Sequence, residues 1–307
     1  MIIATAASTA AAAAAAATRN AAKDSAAFRF VQLLAHEVSN GKIDLPSFPD
    51  IVMRVRQVLA DDDVRPEQIV RVVSTEPALA ARVLHIANSA ALNFSGKPIA
   101  DLRTAITRMG FNMVRSAAIA FALWQLKKAE TLKGLEKPLE QLWESSTAVA
   151  AMSHVVARRL SRVNPDTALL AGLLHEVGKL YMLTRAHEHP ELLGDPSMYA
   201  AIVRDWHSSI AKALLENWQM PEEIVTAVSD FEDLDRQHPG PVDLTDVLTI
   251  AHLLVCLREH PEAMDLNLQD VKAVQRSKLA PDAYAQLLQE SAQEFAAMRQ
   301  VLGPMTS

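Results

Sequence analysis

The chain has 307 residues, half of them apolar, with a net charge of −6, nine glycines and a single cysteine. That length gives one large domain or two small ones, with enough apolar side chain to bury a sizeable core. Scarce glycine and abundant alanine argue against a β-rich fold and for an all-α one, the acidic balance excludes a field that gathers nucleic acid non-specifically, and a lone Cys256 excludes an intrachain disulfide.

The first residues, MIIATAASTA and a run of further alanines, lack the basic start of a signal peptide, and alanine is a weak membrane anchor. Residues 1–23 are therefore expected to form a low-complexity, disordered leader on a cytoplasmic protein without membrane insertion. Helical periodicity begins near Asp24 and continues through Phe28, Val31, Leu34 and Ala35, with Gly41 as its stop. Pro46 and Pro49 impose an extended segment, and Pro49 can open a helix carrying Ile51, Val55 and Leu59. Pro66 and Pro77 open two more helices, the second with Thr75 as a candidate N-cap and with Asn88-Ser89 at its end. Asp101 reads as the N-cap of a helix that stops at Gly110, and Phe111 to Lys127 is apolar nearly all round, as a central buried helix would be. Gly134 and Pro138 mark a loop. Helices are then expected over Leu139–Leu160, Thr167–Met182, Ser197–Trp218, Pro221–Phe231, Asp243–Arg258, Leu266–Arg276 and Pro281–Leu302, with a polar stretch through Pro190 linking the second and third of these. There is no run of strand alternation and no internal repeat. The breaks at Pro138 and at Pro239-Gly240-Pro241 are too short for flexible linkers, so one helical unit with two lobes is expected.

The stretch Gly172-Leu-Leu-His175-Glu176-Val-Gly178-Lys179 places an imidazole beside a carboxylate in apolar sequence. Buried ionisable groups cost free energy unless they are paired or ligated. One reading needs no ligand: Glu176 pairs with Lys179 at i,i+3 and His175 bonds a backbone carbonyl. The other makes them part of a binding site. His36, His85 and His154 lie within helices, and His187 and His189 in a polar loop, where ordinary packing or surface roles are expected. Arg158, Arg159 and Arg162 read as a solvated helix face, with a phosphate contact as the alternative. Cys256, inside VLTIAHLLVCL, reads as a small buried hydrophobe. The four tryptophans read as core or inter-lobe packing, with Trp124 as the one that could lie at an interface.

Leu174-His175-Glu176-Val177-Gly178-Lys179 resembles the LLHDxGK core of HD-superfamily proteins, with glutamate in place of aspartate. Further segments narrow the resemblance to the HDOD family, the HD-related output domain. Leu45-Pro46-Ser47-Phe48-Pro49 resembles its LPxLP start, and Glu76-Pro77 through Leu84 with Asn88-Ser89 resembles its DPxLxxxxLxxxNS stretch. Ala105-Ile106 with Met109-Gly110 resembles AIxxLG, Trp143 with Ser146 resembles WxxS, and His207 followed by Trp218-Gln219-Met220-Pro221 resembles HxxxGxxLLxxWxLP. The likeness covers roughly residues 45 to 232.

The resemblance implies an all-α, two-lobed helical fold like a degenerate HD domain. It implies a domain over 24–240 and C-terminal helices over 241–303 packed on the same unit. It also implies a regulatory role in bacterial signal transduction, often beside cyclic-di-GMP or response-regulator modules, without the full metal set of HD phosphohydrolases. In this chain the positions that match that set are Ser145, the pair His175-Glu176, Asp230-Phe231 and Ala251-His252. His175, Glu176, Asp230 and His252 are the remaining donors. The expectation is a non-catalytic module with no cofactor that acts through signalling-protein partners and is free to form homo-oligomers. His175, Glu176, Lys179, Asn88, Ser89, His207 and Asp230 are the candidate groove contacts. A metal-dependent phosphohydrolase of nucleotides and a pure oligomerising scaffold are the alternatives.

Overall fold

The computed structural model describes residues 26–40, 43, 45, 50–59, 61, 63–93, 96–259, 267–278 and 281–302. The expected leader 1–23, the stop at Gly41 and the Pro46–Pro49 segment lie outside these residues. Every regular element among the described residues is helical. In chain order they are α1 (26–39), α2 (Asp50–Leu59), α3 (Pro66–Val73), α4 (Pro77–Ala87), α5 (Leu102–Met109), α6 (Phe111–Lys127), α7 (Glu136–Leu160), α8 (Pro165–Leu174), α9 (Val177–Ala186), α10 (Pro190–Leu193), α11 (Pro196–Asn217), α12 (Glu222–Asp230), α13 (Leu244–Glu259), α14 (Lys272–Ser277), α15 (Pro281–Glu290) and α16 (Ala292–Leu302).

Local chemistry sets many of these ends. Proline supplies the first residue of α3, α4, α8 and α11, where a missing N–H costs nothing. Asp101 accepts from the Thr104 N–H, Asn164 from Asp166 and Thr167, and Asp195 from Met198, which satisfies otherwise orphaned donors. Thr75 does not cap α4: Glu76 takes the cap position, and the Thr75 hydroxyl donates instead to the Val72 carbonyl at the end of α3. Pro138 does not end in a loop either. It is the third residue of α7, still inside the first turn, where its ring meets no earlier helical carbonyl. The expected Leu266–Arg276 helix is a short 3-10 turn (Leu268–Asp270) followed by α14. The expected Pro281–Leu302 helix is broken at Ser291, whose hydroxyl donates to the Leu287 carbonyl. The polar stretch at Pro190 contains the single turn α10.

The helices α2 to α6 pack on one another as a first lobe. The second is built on α7, α8 and α13, with α9, α11 and α12 around them. Helix α6, buried from Met113 to Leu123 on all but one position, touches both α7 and α8 and so joins the lobes. Asn88 fixes the end of α4 to the loop before α5. Its amide donates to the Leu84 and Ile99 carbonyls, and its oxygen accepts the Ile99 N–H at 2.8 Å.

Two ties run across the fold. Glu37 of α1 accepts from the Tyr181 hydroxyl at 2.5 Å and pairs with Arg185 at 3.0 Å, holding α1 on α9. Helix α16 packs on α7 and returns to α4, where the buried Arg82 guanidinium donates to the Leu302 carbonyl at the helix end. Burial pulls the Arg82 pKa down to about 10.

Candidate functional site

The expected Thr167–Met182 helix is interrupted at the residues of interest: α8 ends at Leu174 and α9 begins at Val177. His175 causes the interruption. Its Nδ1 donates to the Gly172 carbonyl at 2.7 Å, competing with the backbone for an acceptor that a continuous helix would use. Glu176 follows at φ −104°, ψ 13°, outside helical values, and its carbonyl then accepts the Leu180 N–H to restart α9.

Two glycines bring the neighbouring helices close to this junction. A Cβ on Gly172 would stand 2.5 Å from the Ala150 Cα of α7, and one on Gly178 would overlap the His207 carbonyl of α11.

The junction faces inward. His175 is fully buried, and with Nδ1 donating, its Nε2 is an acceptor that has no hydrogen-bond partner among the described residues. Burial pushes its pKa down, so the ring is neutral. Glu176 Oε1 accepts from Lys179 at 3.2 Å, while the buried Oε2 has no partner among the described residues. Burial pushes the Glu176 carboxyl up, but its interactions with His175 and Lys179, the Lys179 hydrogen bond among them, outweigh burial and hold the pKa below the ordinary range.

Lys179 also reaches Glu232 at 3.7 Å, and Glu232 Oε2 lies 2.9 Å from Nε2 of the buried His207. Although burial opposes its charge, the His207 hydrogen bond and nearby cations bring Glu232 down to about 2. Behind the junction the rings of His175, Phe231 and His252 pack at centroid distances of 5.2 to 5.8 Å. Burial, with His175 and Lys179 nearby, lowers His252 to about 4.

The structure thus brings together His175, Glu176, Lys179, His207 and His252. Asp230 turns to its own neighbour, its Oδ1 accepting from the Ser229 hydroxyl at 2.5 Å. Asn88 clamps the α4 end, and Ser89 adjoins it. Glu232 was not among the expected residues. It lies in a turn after α12, and its partner His207 is 25 residues earlier, a pairing that no helical spacing encodes.

On the outer side, Leu142, Leu183, Tyr199 and Val203 wall an open groove of about 700 Å³, with Ser145, Glu176 and Lys179 also lining it.

The donors left for a metal do not fit one. A tetrahedral site needs three or four donors around one point, and no three of His175, Glu176, Asp230 and His252 bring ligand atoms within 4.8 Å of one another. The Phe231 ring packs edge-on against both imidazoles and offers no ligand atom, and the Lys179 ammonium already holds Glu176. The one such group among the described residues is His238, Asp243 and Asp246. There the oxygens are taken: Arg236 donates to both Asp243 oxygens, Arg276 to Asp246 Oδ1 at 2.6 Å, and His238 lies 2.9 Å from Asp246 Oδ2.

Residues 45–234, more than half of the chain, match the HDOD domain family. The chain belongs to the HDOD family. A solved HDOD domain protein of unknown function from Geobacter sulfurreducens shares the fold at a TM-score of 0.63 and 24% identity, over 88% of this chain and 96% of that one. A structure from Shewanella amazonensis SB2B, provisionally named a metal-dependent phosphohydrolase, matches at a TM-score of 0.71 and 23% identity, over 91% of this chain and all of the other. Both likenesses support the all-α HD-type architecture. An uncharacterized protein of Treponema pallidum (strain Nichols) is 25% identical over 239 residues, and the chain spans 44% of that relative's length. No helix among the described residues is long and apolar enough to cross a membrane.

Proposed function

We propose that this HDOD protein is a non-catalytic regulatory module that acts by binding a signalling-protein partner, in cyclic-di-GMP-linked control. The observation that carries the reading is the junction at His175-Glu176. Each residue of the HD pair spends one atom on an internal bond, to Gly172 and to Lys179, and the ring packed against His175 is that of Phe231, which has no donor to offer. Hydrolysis of a phosphate ester on such a scaffold needs a metal to polarise the ester and activate water. The groove walled by α7, α9 and α11 is the docking surface in this reading, with Leu142, Leu183 and Val203 as apolar contacts and Ser145, Glu176 and Lys179 as polar ones.

The test is metal content and turnover of the purified chain. After incubation with manganese or zinc and gel filtration, bound metal is expected below about a tenth of an equivalent, with no hydrolysis of cyclic dinucleotides or of a nitrophenyl phosphodiester. Stoichiometric metal with turnover would establish the phosphohydrolase reading instead, which draws on the two unpartnered acceptors, His175 Nε2 and Glu176 Oε2. For the partner, Val203→Asp places a charge in the groove wall and is expected to abolish capture of the signalling protein from the native host. Unchanged capture would remove the groove from the proposal. Loss of the chain is expected to alter motility or biofilm formation, outputs that respond to cyclic-di-GMP.

A further inference from the structure

The ends of α7 and α14 and the loop before α13 line a second, open groove, which shares no residue with the His175 junction. Four cations line it and no acidic side chain does: Arg159 and Arg162 from the α7 end, Arg276 and Lys278 from the α14 end. Part of its wall, Gly240 to Val242 and Arg276 to Lys278, lies beyond the residues that match the family.

Two of the four cations already have partners. Arg159 pairs with Glu290 and Glu294, and Arg276 with Asp246. Arg162 and Lys278 are exposed and have no carboxylate partner among the described residues. The chain as a whole carries −6, so this convergence runs against its overall field. Cations beside helix C-termini do offset the negative end of the helix dipole. That accounts for one basic residue at each end but not for two helix ends aimed into one acid-free groove. Lys278 also occupies a left-handed position, φ 56°, just past α14, where glycine would be the less costly residue.

We propose that this groove binds a chain of phosphates, the chemistry shared by inorganic polyphosphate and the tail of a nucleoside triphosphate. Guanidinium forks match phosphate oxygens, and an ammonium adds a point charge. No aromatic side chain lines the groove, so recognition runs through charge rather than through stacking on a base.

The test is calorimetric titration of the full chain with tripolyphosphate, ATP, adenosine, sulfate at matched ionic strength, and a glutamate-rich peptide. Tripolyphosphate and ATP are expected to bind with one equivalent, adenosine and sulfate not. ATP binding more tightly than tripolyphosphate would name the nucleotide as the source, and equal affinity would name the phosphate chain alone. Arg162→Gln with Lys278→Gln is expected to weaken binding roughly tenfold for each charge removed, with an unchanged unfolding midpoint, and added salt is expected to weaken the wild type. Three results would overturn the proposal: no binding above sulfate, equal binding by the double variant, or binding of the acidic peptide alone. The last would make the groove a face for an acidic protein. A lowered unfolding midpoint in the double variant, without phosphate binding by the wild type, would leave these cations as helix-end charges only.

Discussion

Two clusters in this molecule combine histidine, carboxylate and a basic side chain, and they are built on opposite rules. Around Asp246, which is 2% exposed, every carboxylate oxygen has a partner: Arg276 and His238 on Asp246, and Arg236 on both oxygens of Asp243. Asp243 and Asp246 also exchange backbone N–H bonds at the start of α13, a reciprocal cap. Around His175 the same residue types leave two buried acceptors open. A saturated network holds a fold together, whereas buried acceptors left open are positions that a ligand or partner can complete. Proximity of His, Asp and Glu therefore misleads here, since the tighter cluster is the structural one.

The largest expected effect breaks the saturated cluster. Arg276→Met removes the guanidinium 2.6 Å from a buried carboxylate, and a loss of about 3 kcal/mol is expected in urea unfolding. Next comes pH. The folded-state pKa of His252, about 4, lies below the ordinary imidazole value, so the unfolded chain takes up the proton first. Stability should fall as pH drops from about 6.5 towards 4 and level off below, a change on the order of 2–3 kcal/mol. His252→Gln should flatten that slope in thermal melts recorded across the window. A wild-type chain equally stable at both ends would show that His252 is not held neutral.

Gly178→Ala forces a methyl into the His207 carbonyl, and a cost of about 2 kcal/mol is expected from the backbone shift. The smallest effect is the most informative. Glu176→Gln removes one ion pair from a site with an already unpartnered oxygen, and stability should change by less than about 1 kcal/mol. If it costs as much as Arg276→Met, the His175 site is a structural network like the other.

Much of the fold was legible in the sequence because helix ends are written locally. Pro66, Pro77, Asp101 and the apolar run from Phe111 to Lys127 act through their own turn or their own face. The ion pair between Glu176 and Lys179 and the backbone bond of His175 were legible for the same reason, being three residues apart. Most hidden features depended on distant partners. Glu232 meets His207 through the packing of α11 and α12. The break at His175 follows from a side chain taking a backbone acceptor inside a run whose periodicity continues through it. Gly172 and Gly178 would have read as weak points in a helix, and only the close approach of α7 and α11 shows their use.

The bond between Arg82 and the Leu302 carbonyl has a kinetic consequence. Its two residues are 220 positions apart, among the most non-local contacts a chain of this size can make. Synthesis proceeds from the N-terminus, so α4 emerges long before α16, and the guanidinium of Arg82 waits without this acceptor while the family-matching region is translated. Closing so long a loop late in folding is slow. The first lobe therefore gains this contact only once α16 has been translated, after the whole family-matching region.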